Sequence, residues 1–213
     1  MNIKPEESAT HDYVLLDQLG HKDLVPFIRT YLKKKTLFSV FYYLFNGLAF
    51  GLVAYFFLRD HALPDYSVGE RFTRFSYGLA LAFAMLPLHE YIHMLAYRSQ
   101  GAKNTSYAAN PKKLFFMALA DRFVASKKEF EIVALAPFIV ISTLLIFCLL
   151  LLNPAWRLTV SSVLLAHTAM CSGDFGLLSY FAFHKNRQPV TYDDVAQQVS
   201  YFYGRREGTQ AAS

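Results

Sequence analysis

The sequence predicts an all-α integral membrane protein with four transmembrane helices, the last three grouped around a polar site, and short cytosolic segments at both ends. Three observations predict it. Apolar residues make up 54% of the 213-residue chain and only 17% are charged; they gather in blocks near the length that crosses a hydrocarbon core of about 30 Å. Lysine and arginine concentrate in alternate connections between those blocks, the bias expected of cytosolic flanks. Within one block, His89, Glu90 and His93 fall in five residues, where each ionisable group costs about 2.5–3.5 kcal/mol at mid-membrane and so needs a purpose.

Residues 1–35 form the N-terminal cytosolic segment. They begin polar, with no apolar stretch suited to a cleaved signal peptide. Leu15, Leu16, Leu19, Leu24, Val25, Ile28 and Leu32 then recur at spacings that suggest a helix with one apolar face, closed by Lys33-Lys34-Lys35. The membrane domain covers 36–183, with spans at about 36–58, 73–97, 129–152 and 158–183. The first acts as an uncleaved anchor. Its Gly47-x-x-x-Gly51 allows close helix approach, within the chain or between two chains. The loop carrying His61 and Asp65 reads as solvated. In the second span, Pro87 stands two residues before His89 and predicts a kink.

The connection 98–128 carries Arg98, Lys103, Lys112, Lys113, Arg122, Lys127 and Lys128 around a short apolar run, Leu114–Leu119. That run is too short to span. It fits a re-entrant or interfacial segment, or a strand able to pair with an extended peptide. The third span has Pro137 near its start. The tail, 184–213, is polar, with a helical reading for Val195–Tyr203. Four spans with both termini in the cytosol place every basic flank on that side. The net charge of +5 then faces anionic lipid headgroups rather than nucleic acid. Cys148 and Cys171 lie in apolar blocks and read as packing residues, with no disulfide framework.

His89-Glu90-x-x-His93 places two imidazoles one turn apart on one helix face, able to share a tetrahedral metal, for which zinc is the usual occupant. Glu90, about 100° round the helix, is set to take a proton from water rather than bind the metal. Two histidines leave such a site incomplete. The fourth span offers His167, Cys171 and Asp174. Asp174 is the favoured third ligand: it is the span's only carboxylate, and parallel running of spans two and four brings it to the depth of His89. His167, seven residues earlier, falls two turns further outward, about 10 Å along a continuous helix, and is expected to contact substrate or an oxyanion. Cys171 is the weaker alternative ligand.

These residues, with Pro137 in the middle span, resemble the site-2 protease plan of intramembrane zinc metalloproteases, and the chain is closest to the small bacterial membrane proteins grouped as putative zincin peptidases. The resemblance covers about residues 73–183. It implies one Zn2+ per chain on His89, His93 and Asp174, Glu90 as the catalytic base, residence in a bacterial inner membrane, and a membrane protein or peptide as substrate. Gly173 precedes Asp174 and Phe175 follows it, unlike the usual Asp-Gly order of site-2 proteases. The alternative is a non-catalytic membrane protein with a structural or sensory metal site, closed by four protein ligands. A metal transporter is disfavoured because spans one and three lack acidic and histidine residues in their interiors. The sequence sets no oligomeric state.

Overall fold

Helices account for the apolar blocks, and strands account for much of what lies around them. The computed structural model describes residues 13–59, 67–110 and 115–206. His61, Asp65, Lys112, Lys113 and the end of the tail lie outside the described residues. The chain runs through β1 (Tyr13–Gly20), α1 (Leu24–Leu32), α2 (Leu37–Arg59), α3 (Val68–Ala84) and α4 (Leu86–Ser99). The strands β2 (Thr105–Asn110), β3 (Phe115–Ala120) and β4 (Ala125–Ser126) follow. After them come α5 (Lys127–Leu151), α6 (Arg157–Met170), α7 (Ser172–Phe183), β5 (Val190–Asp194) and β6 (Val199–Arg205).

Among the described residues three helical stretches are long and apolar enough to cross a membrane: Leu37–Leu58, Val68–Ser99 and Lys127–Leu151. The fourth expected stretch, 158–183, is two helices, α6 and α7, joined at Cys171. Two helices begin on reciprocal caps. Ser67 accepts the Glu70 N–H while the Glu70 carboxylate accepts the Ser67 N–H at 2.7 Å. Ser126 and Glu129 do the same for α5. Each box satisfies donors that a helix start leaves unpaired. Pro87 lies in the first turn of α4, where its missing N–H costs nothing, so the expected kink is a break between α3 and α4.

The expectation of an all-α protein is corrected. β1, β6, β5 and β4 form an antiparallel sheet in that order, and β2 pairs with β3 in a second. The reading of Val195–Tyr203 as helix fails because Val199-Ser200-Tyr201-Phe202-Tyr203 is rich in residues that fit a pleated surface, and Phe202 and Gly204 alternate inward. The apolar residues of 13–20 likewise lie on a strand rather than a helix. The run 114–119 resolves to the strand alternative, as β3.

The elements close on one another through small residues. A Cβ on Gly78 of α3 would come within 2.5 Å of Ser162 Cβ and of the Thr159 carbonyl on α6. A Cβ on Gly176 of α7 would meet Ile28 of α1 at 2.6 Å. By contrast, nothing lies within 4 Å of a Cβ placed on Gly47 or Gly51, so this pair does not make a packing groove within the chain. The core around α7 is aromatic: Phe175 and Phe181 are fully buried, and Phe181 stacks on Phe130 with centroids 4.6 Å apart.

Gly78→Ala should destabilise the fold by about 1–3 kcal/mol, because a backbone carbonyl cannot move aside as a side chain does. Gly47→Ala should stay within about 0.5 kcal/mol of the parent. Thermal unfolding of both variants in one detergent checks the contrast, and equal midpoints would contradict the close α3–α6 contact.

Candidate metal centre

The α4 helix presents His89, Glu90 and His93 inward, each less than 9% exposed. Their Nε2 atoms approach to 3.1 Å. Asp174, on the first turn of α7, reaches both: Oδ2 lies 3.4 Å from His89 Nε2 and Oδ1 lies 3.2 Å from His93 Nε2. Ligands at 2.0–2.2 Å on a tetrahedral ion stand roughly 3.3 Å from one another. The two imidazole nitrogens and the two oxygens of the Asp174 carboxylate therefore lie close to the spacing that one zinc ion requires, and one ligand atom from each residue falls within 4.8 Å of the others.

His93 is oriented by a backbone carbonyl. Its Nδ1–H donates to the Val133 oxygen at 2.9 Å. That oxygen is available because Pro137, four residues on in α5, has no N–H to give it. A carbonyl only accepts, so the proton of the neutral ring sits on Nδ1 and the Nε2 lone pair faces the centre. Pro137, which the sequence reading placed near the start of the third span, thus frees the partner that a metal-binding histidine needs.

A second grouping shares His89 with His167 and Cys171, all buried, with ligand atoms within 4.8 Å of one another. Here Cys171 Sγ and His167 Nε2 are 3.9 Å apart, wider than the roughly 3.6 Å that bonds of 2.3 and 2.05 Å to one tetrahedral ion impose. His167 is nearer His89 than expected, with ring centroids 5.5 Å apart. The break at Cys171 means that His167 and Asp174 do not share one continuous helix. His167 faces the Pro137 carbonyl and is not among the residues that line the cavity beside the metal centre.

That cavity, of about 170 Å³, is lined by His89, Glu90, His93 and Asp174 and also by Thr191, Asp193 and Ser200 of the four-stranded sheet. The hairpin forms one wall. Ala118 N–H of β3 donates to Glu90 Oε2 at 2.7 Å, which fixes the carboxylate. Sequence reasoning missed Tyr97, Ala118, Asp193 and Ser200 as parts of this wall. Tyr97 had a visible signal, being one turn beyond His93; the other three had none, because their elements meet the site only through tertiary packing.

Pro137→Ala returns an N–H that competes with His93 for the Val133 oxygen. Affinity for a divalent metal should fall roughly 10–100-fold, measured by competition with a chromophoric chelator. Unchanged affinity would show that the carbonyl does not hold the ring.

No curated protein matches the chain, and no solved structure does. A family model described as "Putative zincin peptidase" matches residues 82–188, just over half of the chain. The matched stretch begins before His89 and ends after Asp174, and the family's description implies zinc and peptide hydrolysis. The chain belongs to the putative zincin peptidase family.

Proposed function

We propose that the protein is a membrane-embedded zinc metallopeptidase, hydrolysing peptide bonds within or next to the bilayer, with zinc on His89, His93 and Asp174 and Glu90 as general base. The observation that carries this reading is the convergence of three residues: the Nε2 atoms of His89 and His93 lie 3.1 Å apart, and the Asp174 carboxylate reaches His93 through Oδ1 at 3.2 Å and His89 through Oδ2 at 3.4 Å. The donor set of two imidazoles and a carboxylate suits zinc and leaves room for water. The ion, when bound, polarises a carbonyl and makes water acidic enough to lose a proton near neutral pH.

The chain's own groups do the rest. Glu90 Oε1 accepts the proton of the attacking water, and the same carboxylate passes it to the leaving amine. The Ala118 N–H on Oε2 keeps that carboxylate turned toward the cavity. His93 is held in alignment through Val133. The location in a membrane is supported by the apolar stretch Val68–Ser99, which carries the whole motif. The basic flanks put the termini and the soluble sheet on the cytosolic side. A substrate contact through His167 draws no support from the cavity, whose lining does not include it. The alternative, a closed structural centre, would take His167 or Cys171 as a further ligand, both of which group with His89.

Purified protein should carry about one zinc per chain. Asp174→Ala should lose it, and His167→Ala should keep it, by elemental analysis. Loss from both would favour the closed centre. Glu90→Gln should retain zinc and lower turnover of a cleaved peptide by at least about a hundredfold; turnover at the parent rate would remove Glu90 from the chemistry.

A further inference from the structure

The cavity that holds the metal centre has a second set of lining residues that the proposed hydrolysis does not use. This compartment is lined by Leu19, Leu24, Phe130, Leu177 and Phe202 together with Asp193 of β5. Asp193 keeps part of its surface open while sitting within the protein, and it lines the cavity. Ser200 Oγ–H donates to Asp193 Oδ1 at 2.6 Å, and the Ala120 N–H also favours its charged form. A carboxylate accepts about four hydrogen bonds, so accepting capacity remains.

Among the described residues no lysine, arginine or histidine forms an ion pair with Asp193, and the charged side chain that acts on it is another acid, Asp121. The titratable groups of α4 and α7 that line the same cavity are His89, Glu90, His93, Tyr97 and Asp174. Tyr97 lies within electrostatic reach of Asp193, Asp174 and Glu90 together. The two charges of a divalent ion at the metal centre are matched by Asp174 and Glu90, which leaves Asp193 over. Burial accordingly pushes its carboxyl up to about 6, since desolvation disfavours an unmatched charge.

We infer that this compartment is a side-chain subsite of the peptidase, selecting a basic residue of the substrate through Asp193. Apolar walls that also carry a carboxylate fit a side chain with an aliphatic stem and a cationic tip, as lysine has. Leaving a buried carboxylate unpaired costs far more than exchanging one apolar stem for another, so the end group sets the discrimination. This inference rests on the peptidase reading for its biological meaning, but its test does not require cleavage.

The test uses zinc-loaded Glu90→Gln protein and two N-acetylated peptide pools that differ only in lysine against norleucine, its uncharged counterpart. The lysine pool should bind roughly tenfold more tightly. The preference should shrink to within about twofold in Glu90→Gln/Asp193→Asn, since asparagine keeps an acceptor for Ser200 but loses the charge. It should also shrink below about pH 6, where Asp193 takes up a proton. Equal binding of both pools, or a lysine preference that survives Asp193→Asn, would overturn the inference. A norleucine pool with a free α-amine that binds as tightly as the lysine pool would mean that the cation is the peptide N-terminus, and would overturn the side-chain assignment. Lysine-selective binding without any cleavage by the parent protein would leave the subsite standing and count against the peptidase reading alone.

Discussion

The arrangement depends on one backbone oxygen, that of Val133. In an uninterrupted helix it would be committed to the N–H four residues on. Pro137 withholds that donor, and the oxygen turns to His93. In an apolar bundle an unmatched carbonyl costs several kcal/mol, so the ring that satisfies it is held firmly. The same bond fixes the tautomer and aims Nε2 at His89 and Asp174. One helix irregularity thereby couples α5 to α4 and sets the geometry on which Asp174 closes.

Around that centre the fold does two things that apolar helices alone would not. The break at Met85 starts α4 afresh, so the motif sits at the beginning of a short helix rather than in the middle of a long one. The hairpin then brings a peptide N–H to the carboxylate of Glu90. The four-stranded sheet, joined to the segment after the hairpin through Arg122 N–H on the Asp193 carbonyl at 2.9 Å and Val195 N–H on Asp121 at 3.2 Å, adds Thr191, Asp193 and Ser200 to the lining. Strands from early and late in the chain thus build the cavity with the apolar helices.

What was legible in the sequence was what short-range spacing or membrane cost enforces. His89 and His93 share a face because four residues make a turn, and Asp174 stood out because a lone carboxylate among apolar residues needs a partner. The strands were not legible. β1 pairs with β6 from Tyr13↔Arg205 to Gly20↔Val199, so its stabilising partners lie nearly a chain length away, and leucines spaced for a helix face became a strand. Asp193 was hidden for the same reason: in a polar tail a carboxylate looks solvated, and only the assembled sheet encloses it. The position of His167 was misjudged because nothing in the apolar run around Cys171 announces that the helix breaks there.

The most direct measurement of the central claim is X-ray absorption at the zinc edge of the purified full-length protein. A centre built by His89, His93 and Asp174 predicts only nitrogen and oxygen neighbours at about 2.0–2.2 Å, with outer-shell scattering from two imidazoles. A sulfur neighbour at about 2.3 Å would place Cys171 on the metal, contradicting the open three-ligand site and the hydrolytic chemistry assigned to it.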